Sequence, residues 1–218
     1  MSLEAVRTRI AEAAMRAGRQ PESIRLVVVS KGQSPEAIHE LYGQGHRDFG
    51  ENRAQELSAK VSQLPSDIRW HFVGPLQTNK VRMVRPAVDL LHSLDRIDLL
   101  EPWVKGPGSP PPALIQVKIG GEAQKHGVEP AGAGHLCERA IAAGIEVIGL
   151  MTIPPLVADP QQARPYFDEL AAISSELQRP FPAVRELSMG MTDDFEVAIA
   201  AGATIVRIGR AIFGALPN

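Results

Sequence analysis

A parallel (β/α)8 barrel with an extra N-terminal helix is the fold the sequence predicts, and two features carry the prediction. Short apolar segments rich in β-branched residues recur about eight times, and each is followed by a segment with helical spacing. That alternation argues parallel strands with helices outside. Eight repeats favour a closed barrel over an open doubly wound sheet. The open sheet stays as the alternative, because the second and fourth strands are weakly marked. No self-similarity marks a solenoid.

Ser2 can cap the extra helix, in which Leu3, Val6, Ile10, Ala13 and Ala17 recur at helical spacing before Gly18. The first strand, Leu26-Val27-Val28-Val29, runs on to Ser30-Lys31. Ser34-Pro35 is an N-cap and a first-turn proline, opening a helix with Ile38, Leu41 and Tyr42 on one side. His46 to Gly50 is a short second strand. A helix from about Glu51 follows, with Ala54, Leu57, Val61 and Leu64 inward and Pro65 as terminator. Trp70 to Gly74 is the third strand. Thr78 opens a helix with Val81 and Val84, closed before Pro86. Leu90 to Leu94 is the fourth strand, and Asp95 can cap a helix carrying Leu99, Leu100 and Trp103.

Gly106 to Pro112 reads as a surface loop, and Ala113 to Lys118 as the fifth strand. Glu129-Pro130 starts a helix through Leu136, Ala140 and Ile141 that stops at Gly144. Val147 to Ile153 is the sixth strand. Asp159-Pro160 starts a longer helix with Phe167, Leu170, Ile173 and Leu177, broken by Pro180. Glu186 to Gly190 is the seventh strand. Thr192 caps a helix with Asp193 and Asp194 in its first turn, ended by Gly202. Thr204 to Gly209 is the eighth strand, and Ala211 to Leu216 a short final helix.

The 218 residues are 44% hydrophobic with a formal net charge of -2, enough for one sizeable core and a single domain over 1–218. There is no basic excess to argue for nucleic acid. The single cysteine, Cys137, rules out an internal disulfide framework and suits a reducing compartment. Met1 to Ala17 lacks the apolar run of a signal peptide, and no stretch approaches about 18 uninterrupted apolar residues. The expectation is a soluble cytoplasmic domain with no membrane contact.

In a parallel barrel the strand C-termini form the rim where chemistry is done. Here that rim collects Lys31, the Gly50-Glu51-Asn52 turn, Gly74, Ser188 to Gly190, and Gly209-Arg210. Backbone N–H groups at a helix start favour an anion, and loops after strands seven and eight often hold a phosphate. The alternative is that these glycines only turn strands into helices. Arg207 shares a strand face with Gly209; inside the barrel it needs a partner, either a polar ligand or a carboxylate such as Glu51. A rim lysine near a buried arginine is pushed toward the neutral amine, which can form a Schiff base with an aldehyde. Lysine plus phosphate pocket suggests an aldolase-like enzyme or a pyridoxal-phosphate site.

Other chemistries lack their signatures. The six histidines show no metal-ligand pairing, so no metal site is expected. There is no G-x-S-x-G, no P-loop and no G-x-G-x-x-G. Asp193-Asp194 reads as helix-dipole compensation rather than acid–base machinery. His71 and His92 read as satisfied core histidines.

Several blocks, in order along the chain, resemble one family. They are Val28 to Lys31, Phe49-Gly50-Glu51-Asn52, Trp70 to Lys80, His92-Ser93-Leu94-Asp95, Leu114 to Val117, Gly149-Leu150-Met151, Leu187 to Met191, and Val206 to Gly209 with Ala211 to Gly214. Together they resemble the pyridoxal-phosphate homeostasis proteins, the YggS/PROSC family. The resemblance implies one barrel like the N-terminal domain of alanine racemase, with pyridoxal 5'-phosphate held as an internal aldimine on Lys31. It implies that Ser188 and the amides near Gly209 and Arg210 hold the phosphate, that Arg207 faces the pyridine nitrogen, and that Asn52 lies near the ring. This chain departs from the usual pattern at Gly32, Arg53, Lys118 and Arg210. A threonine hydroxyl is lost from the phosphate site at Arg210, where the guanidinium could pair with phosphate instead. Lys118 and Lys125 are extra lysines away from the family's position.

The resemblance implies a cofactor-binding and cofactor-delivering protein without catalytic residues. An arginine at the pyridine nitrogen donates a hydrogen bond but does not give up its proton, so the ring is a poorer electron sink. The chain also ends about nine residues after Gly209, short of a racemase-type second domain that would bring a second base. The expected partners are pyridoxal 5'-phosphate and apo pyridoxal-phosphate enzymes, and the expected state is a monomer. The runner-up is a pyridoxal-phosphate racemase or lyase of amino-acid chemistry. A cofactor-free Schiff-base aldolase and a scaffold for protein partners are the remaining readings.

Overall fold

The computed structural model describes residues 1–120 and 126–214. Its strands are β1 Arg25–Val29, β2 Asp48–Glu51, β3 Arg69–Phe72, β4 Leu90–Leu94, β5 Ala113–Gln116, β6 Val147–Met151, β7 Glu186–Ser188 and β8 Ile205–Ile208. All neighbours pair in parallel, and β8 pairs back onto β1, with Val27 opposite Arg207. The sheet is therefore a closed eight-stranded barrel, as expected, and the open sheet is excluded.

The helices are α1 Leu3–Arg16, α2 Pro35–Gly43, α3 Ala54–Val61, α4 Val81–Val84, α5 Leu100–Val104, α6 Ala133–Ala142, α7 Arg164–Leu177, α8 Phe195–Ala200 and α9 Arg210–Phe213. Ser2 caps α1 by accepting the Ala5 N–H at 3.1 Å, and Ser34 caps α2 by accepting the Ala37 N–H at 3.3 Å. Helix α1 buries Leu3, Val6, Ile10, Ala13 and Ala14, one residue short of the expected Ala17. Arg9 and Arg16 of α1 both reach Glu196 of α8, at 2.7 and 2.9 Å, fixing the extra helix against the last turn of the barrel.

Strand alternation divides the core into two shells. Outward residues such as Val28, Phe49, Leu91, Ile115 and Val206 pack under the helices with Ile10, Ile38, Leu57 and Phe167. Val27, Leu90, Leu114, Met151 and Ile205 form a separate cluster that fills the barrel. The inner shell is not wholly apolar: His71, His92, Ser188 and Arg207 are buried as well.

Several expected boundaries move, for local reasons. β1 ends at Val29, so Lys31 stands in the loop beyond it. Glu51 belongs to β2 and not to a helix, because its side chain is held by buried partners. Asp95 does not cap; it accepts from Arg96 at 2.6 Å, and Ile97–Leu99 is a 3-10 turn before α5. Pro86 lies inside the 3-10 turn Arg85–Ala87. Asp194, not Thr192, occupies the cap of α8, and its Oδ1 accepts the Met191 N–H at 2.6 Å. The expected end of the last helix at Leu216, and Lys125, lie outside the described residues.

Candidate functional site

The C-terminal ends of the strands surround a cavity of about 530 Å³. Lys31, Asn52, Arg207, Gly209 and Arg210 all line it, with Thr192 and Asp193 from the loop after β7. The loop that carries Lys31 is fixed by its neighbours. Gly32 takes φ +69°, a conformation natural for glycine, and its N–H donates to Glu56 Oε2 of α3 at 2.7 Å. Lys31 itself is exposed and has no ion pair or hydrogen bond among the described residues.

A second lysine shows what a structural one looks like. Lys60 of α3 is buried, and its Nζ donates to Glu51 Oε1 at 2.6 Å and to the Ser30 carbonyl at 2.7 Å. Burial pushes the Glu51 carboxyl up, while the bonds from Lys60 and Ser30 pull against it. Glu51 is therefore committed to Lys60 and is not the partner of Arg207, the alternative raised by the sequence.

Arg207 enters from β8 and is 4% exposed. Its Nη1 donates to Ser188 Oγ at 2.6 Å and its Nη2 to the Thr152 carbonyl at 2.8 Å. Burial draws its pKa down to about 10, and the nearby Asp194 carboxylate opposes that shift. Five N–H groups less two leave hydrogens to point at a ligand atom in the cavity. Asn52 Oδ1 is buried without a hydrogen-bond partner among the described residues. A buried orphan acceptor is costly, so it is best explained by a donor supplied by a ligand.

Gly209 sits where a Cβ would come within 2.7 Å of the Val29 carbonyl, so β8 and β1 close against each other at the cavity floor through glycine. Arg210 opens α9, and its guanidinium is paired with Asp193 across the mouth. Ser188 does not line the cavity. It is fully buried at the end of β7, where its hydroxyl meets Arg207 and, at 2.8 Å, His92 Nδ1. The phosphate contact expected of Ser188 belongs to the proposal below; in the structure the strand ends there with its hydroxyl against Arg207 and His92.

Thr192 was passed over as a helix cap. Its Oγ1 accepts the Ala211 N–H at 3.4 Å and ties the loop after β7 to α9. The signal for it was its place between the glycine corner at Gly190 and the Asp193-Asp194 pair. Among the described residues no group of three His, Cys, Asp or Glu side chains is placed to hold a metal. No described helix is long and apolar enough to cross a membrane.

Comparison with known proteins gives a consistent result. The sequence profile described as "Alanine racemase, N-terminal domain" matches residues 1–217. The pyridoxal phosphate homeostasis protein of Aquifex aeolicus is 45% identical, over 97% of this chain and 96% of its own. That of Escherichia coli K12 is 39% identical, over 98% and 95%. Among solved structures, PipY of Synechococcus elongatus PCC7942 with PLP bound superposes with a TM-score of 0.81 at 36% identity, covering 94% of this chain and all of PipY.

Proposed function

The chain belongs to the family of pyridoxal phosphate homeostasis proteins, and on that premise we propose that it binds pyridoxal 5'-phosphate as a Schiff base on Lys31 and serves cofactor homeostasis and delivery, without catalytic turnover. The observation that carries the reading is one cavity lined by a buried arginine, a lysine amine and a buried amide oxygen on Asn52, the last two without partners among the described residues. These residues fit the group: an amine for its aldehyde, an acceptor for its hydroxyl and a donor for its ring nitrogen.

When bound, the cofactor supplies an aldehyde that condenses with amines and a ring able to withdraw electrons. Lys31, at the end of a loop anchored by Glu56, presents the amine. Arg207, held by Ser188 and the Thr152 carbonyl, donates to the ring nitrogen and keeps its own proton. Gly209, Arg210 and Thr192 form the side of the cavity where the phosphate docks. Ser188 enters this proposal as the holder of Arg207 and as the phosphate contact that the family resemblance implies.

Two features favour a binder over a racemase or lyase. A ring nitrogen that only accepts a hydrogen bond weakens the stabilisation of a carbanion. Among the described lining residues the carboxylate is Asp193, and Arg210 already engages it, which leaves it poorly placed as a second base. Delivery to apo-enzymes, a monomeric state and a cytoplasmic setting belong to the same proposal.

Two measurements test it. The purified chain mixed with pyridoxal 5'-phosphate develops the absorption band of a protein-bound Schiff base, and Lys31→Ala abolishes it. Amino acids incubated with excess protein in D₂O keep their α-hydrogen. A band that survives Lys31→Ala overturns the anchor, and α-deuteration overturns the absence of turnover.

A further inference from the structure

Lys31 stands at the upper mouth of the barrel, where the strands end, opposite the lower mouth, where they begin. A long side chain at an open rim is aimed by the backbone that carries it, and here both neighbours of Lys31 are held. Ser30 donates its N–H to the Gly50 carbonyl at 2.9 Å and its hydroxyl to Glu51 Oε1 at 2.6 Å. The Ser30 carbonyl accepts from Lys60 Nζ at 2.7 Å. On the other side the Gly32 N–H donates to Glu56 Oε2 at 2.7 Å. The peptide group before Lys31 and the peptide group after it are thus gripped separately.

Both grips come from α3. Glu56 and Lys60 stand four residues apart, so they share one face of the helix, and their charged ends lie 3.5 Å from each other. Lys60 Nζ has three hydrogens and three oxygens around it: the Ser30 carbonyl, Glu51 Oε1 and, farther off, Glu56 Oε2. Seating α3 on the barrel does not need this network, since Ala54 and Leu57 of the same helix are buried in the apolar core. A buried ion pair adds little to such seating, because taking both charges out of water offsets most of their attraction. What sets this one apart is where its hydrogen bonds land, on the two peptide groups around a single residue.

We infer that Glu51, Glu56 and Lys60 are positioning residues for Lys31: they clamp the peptide groups on either side of its Cα and so aim its amine into the cavity. The inference rests on the reading of that cavity as the cofactor site. In the condensation the Lys31 nitrogen bonds to the aldehyde carbon, and the aldehyde oxygen leaves as water with both hydrogens of the neutral amine. None of the three clamp residues touches the reacting atoms. Without the clamp the turn at Gly32 loosens, and the amine spends less time in line with the aldehyde carbon. A loss of orientation of this kind costs about tenfold in rate. Docking of the ring and phosphate uses the other side of the cavity, so it is left as it was.

The test uses the full chain and pyridoxal 5'-phosphate as the probe. The rate at which the bound Schiff-base band appears is followed against probe concentration, which separates docking (the half-saturating concentration) from condensation (the limiting rate). Glu56 is 25% exposed at its side chain, so Glu56→Ala is compatible with folding. It should lower the limiting rate about tenfold and leave half-saturation within about twofold. Glu56→Gln, which keeps an oxygen for the Gly32 N–H, should restore the rate. In the cofactor-free chain the Gly32 amide should exchange with D₂O faster in Glu56→Ala than in the unsubstituted protein. Glu51→Gln combined with Lys60→Met removes both buried charges together and should slow condensation in the same way. An unchanged limiting rate in Glu56→Ala overturns the inference. So does a rate that Glu56→Gln fails to restore, a loss confined to half-saturation, or a Gly32 amide indifferent to Glu56→Ala. A band that never forms in the unsubstituted chain, or that survives Lys31→Ala, overturns the cofactor reading instead.

Discussion

At the lower mouth Asp48 is held from two sides, by Arg69 Nη2 at 2.5 Å and His71 Nε2 at 3.1 Å, around a small opening. At the upper mouth Lys31, Asn52 and Arg207 surround a cavity more than twice as large and turn donors and acceptors into it. The same kinds of side chain thus serve different ends. Below, polar groups satisfy one another and contribute to stability. Above, they are left for a ligand and contribute little to folding, as the division of labour in parallel barrels leads one to expect. Arg207 belongs to both settings, since its inner hydrogens go to the fold and its outer ones face the cavity.

The sharpest way to break this contrast is at Lys31. Lys31→Ala should eliminate covalent binding of pyridoxal 5'-phosphate while leaving urea-unfolding stability within about 0.5 kcal/mol, because the side chain touches nothing that the fold needs. A large stability loss would mean that the upper mouth is structural after all.

Acid should expose the lower end next. His46 lies beside β2 with Nε2 2.8 Å from the Asp48 carbonyl, and burial lowers its pKa from 6.5 to about 4. The unfolded chain takes up that proton below about pH 6.5 and the folded chain does not until about pH 4. Stability is therefore fully present above the first value and lost as pH falls toward the second, by about 3 kcal/mol. Urea titrations across that window check the loss, and His46→Gln should flatten the slope.

A comparable or somewhat smaller effect is expected at Asp48. Burial would raise its carboxyl, but hydrogen bonds from His71 and Arg69 hold it well below the usual range. Asp48→Ala leaves both donors without their acceptor and should cost about 2 kcal/mol in urea unfolding, with the Lys31 adduct still formed. The smallest effect belongs to Ser34→Ala, which removes the cap of α2 just beyond the Lys31 loop. It should cost about 1 kcal/mol in the same measurement and leave cofactor absorbance unchanged.

Much of the architecture was legible because it is written locally. Runs such as Leu26 to Val29 and Leu90 to Leu94, the caps at Ser2 and Ser34, and the glycine corners at the rim mark elements without reference to the rest of the chain. The ends of elements were less legible. Glu51 reads as a helix start until Lys60, nine residues away, is seen to bury it in β2. Lys60 had a signal, since it lies three residues after Leu57 on the inward stripe of α3, yet its charge argued for solvent. The site itself divides the same way. Lys31, Asn52, Arg207, Gly209 and Arg210 follow from strand ends and a shared rim. Ser188, placed on that rim by its position in the chain, has its hydroxyl engaged inside the barrel, accepting from Arg207 and meeting His92 Nδ1. Such partners come from strands far apart in sequence, and no local pattern announces them.

The contrast between the two lysines offers the most direct check on the central claim. The chain is incubated with pyridoxal 5'-phosphate, reduced with borohydride, digested and mapped by mass. The account predicts one reduced pyridoxyl phosphate adduct per chain, on Lys31. An adduct on Lys60, Lys118 or another lysine, or none at all, would contradict it.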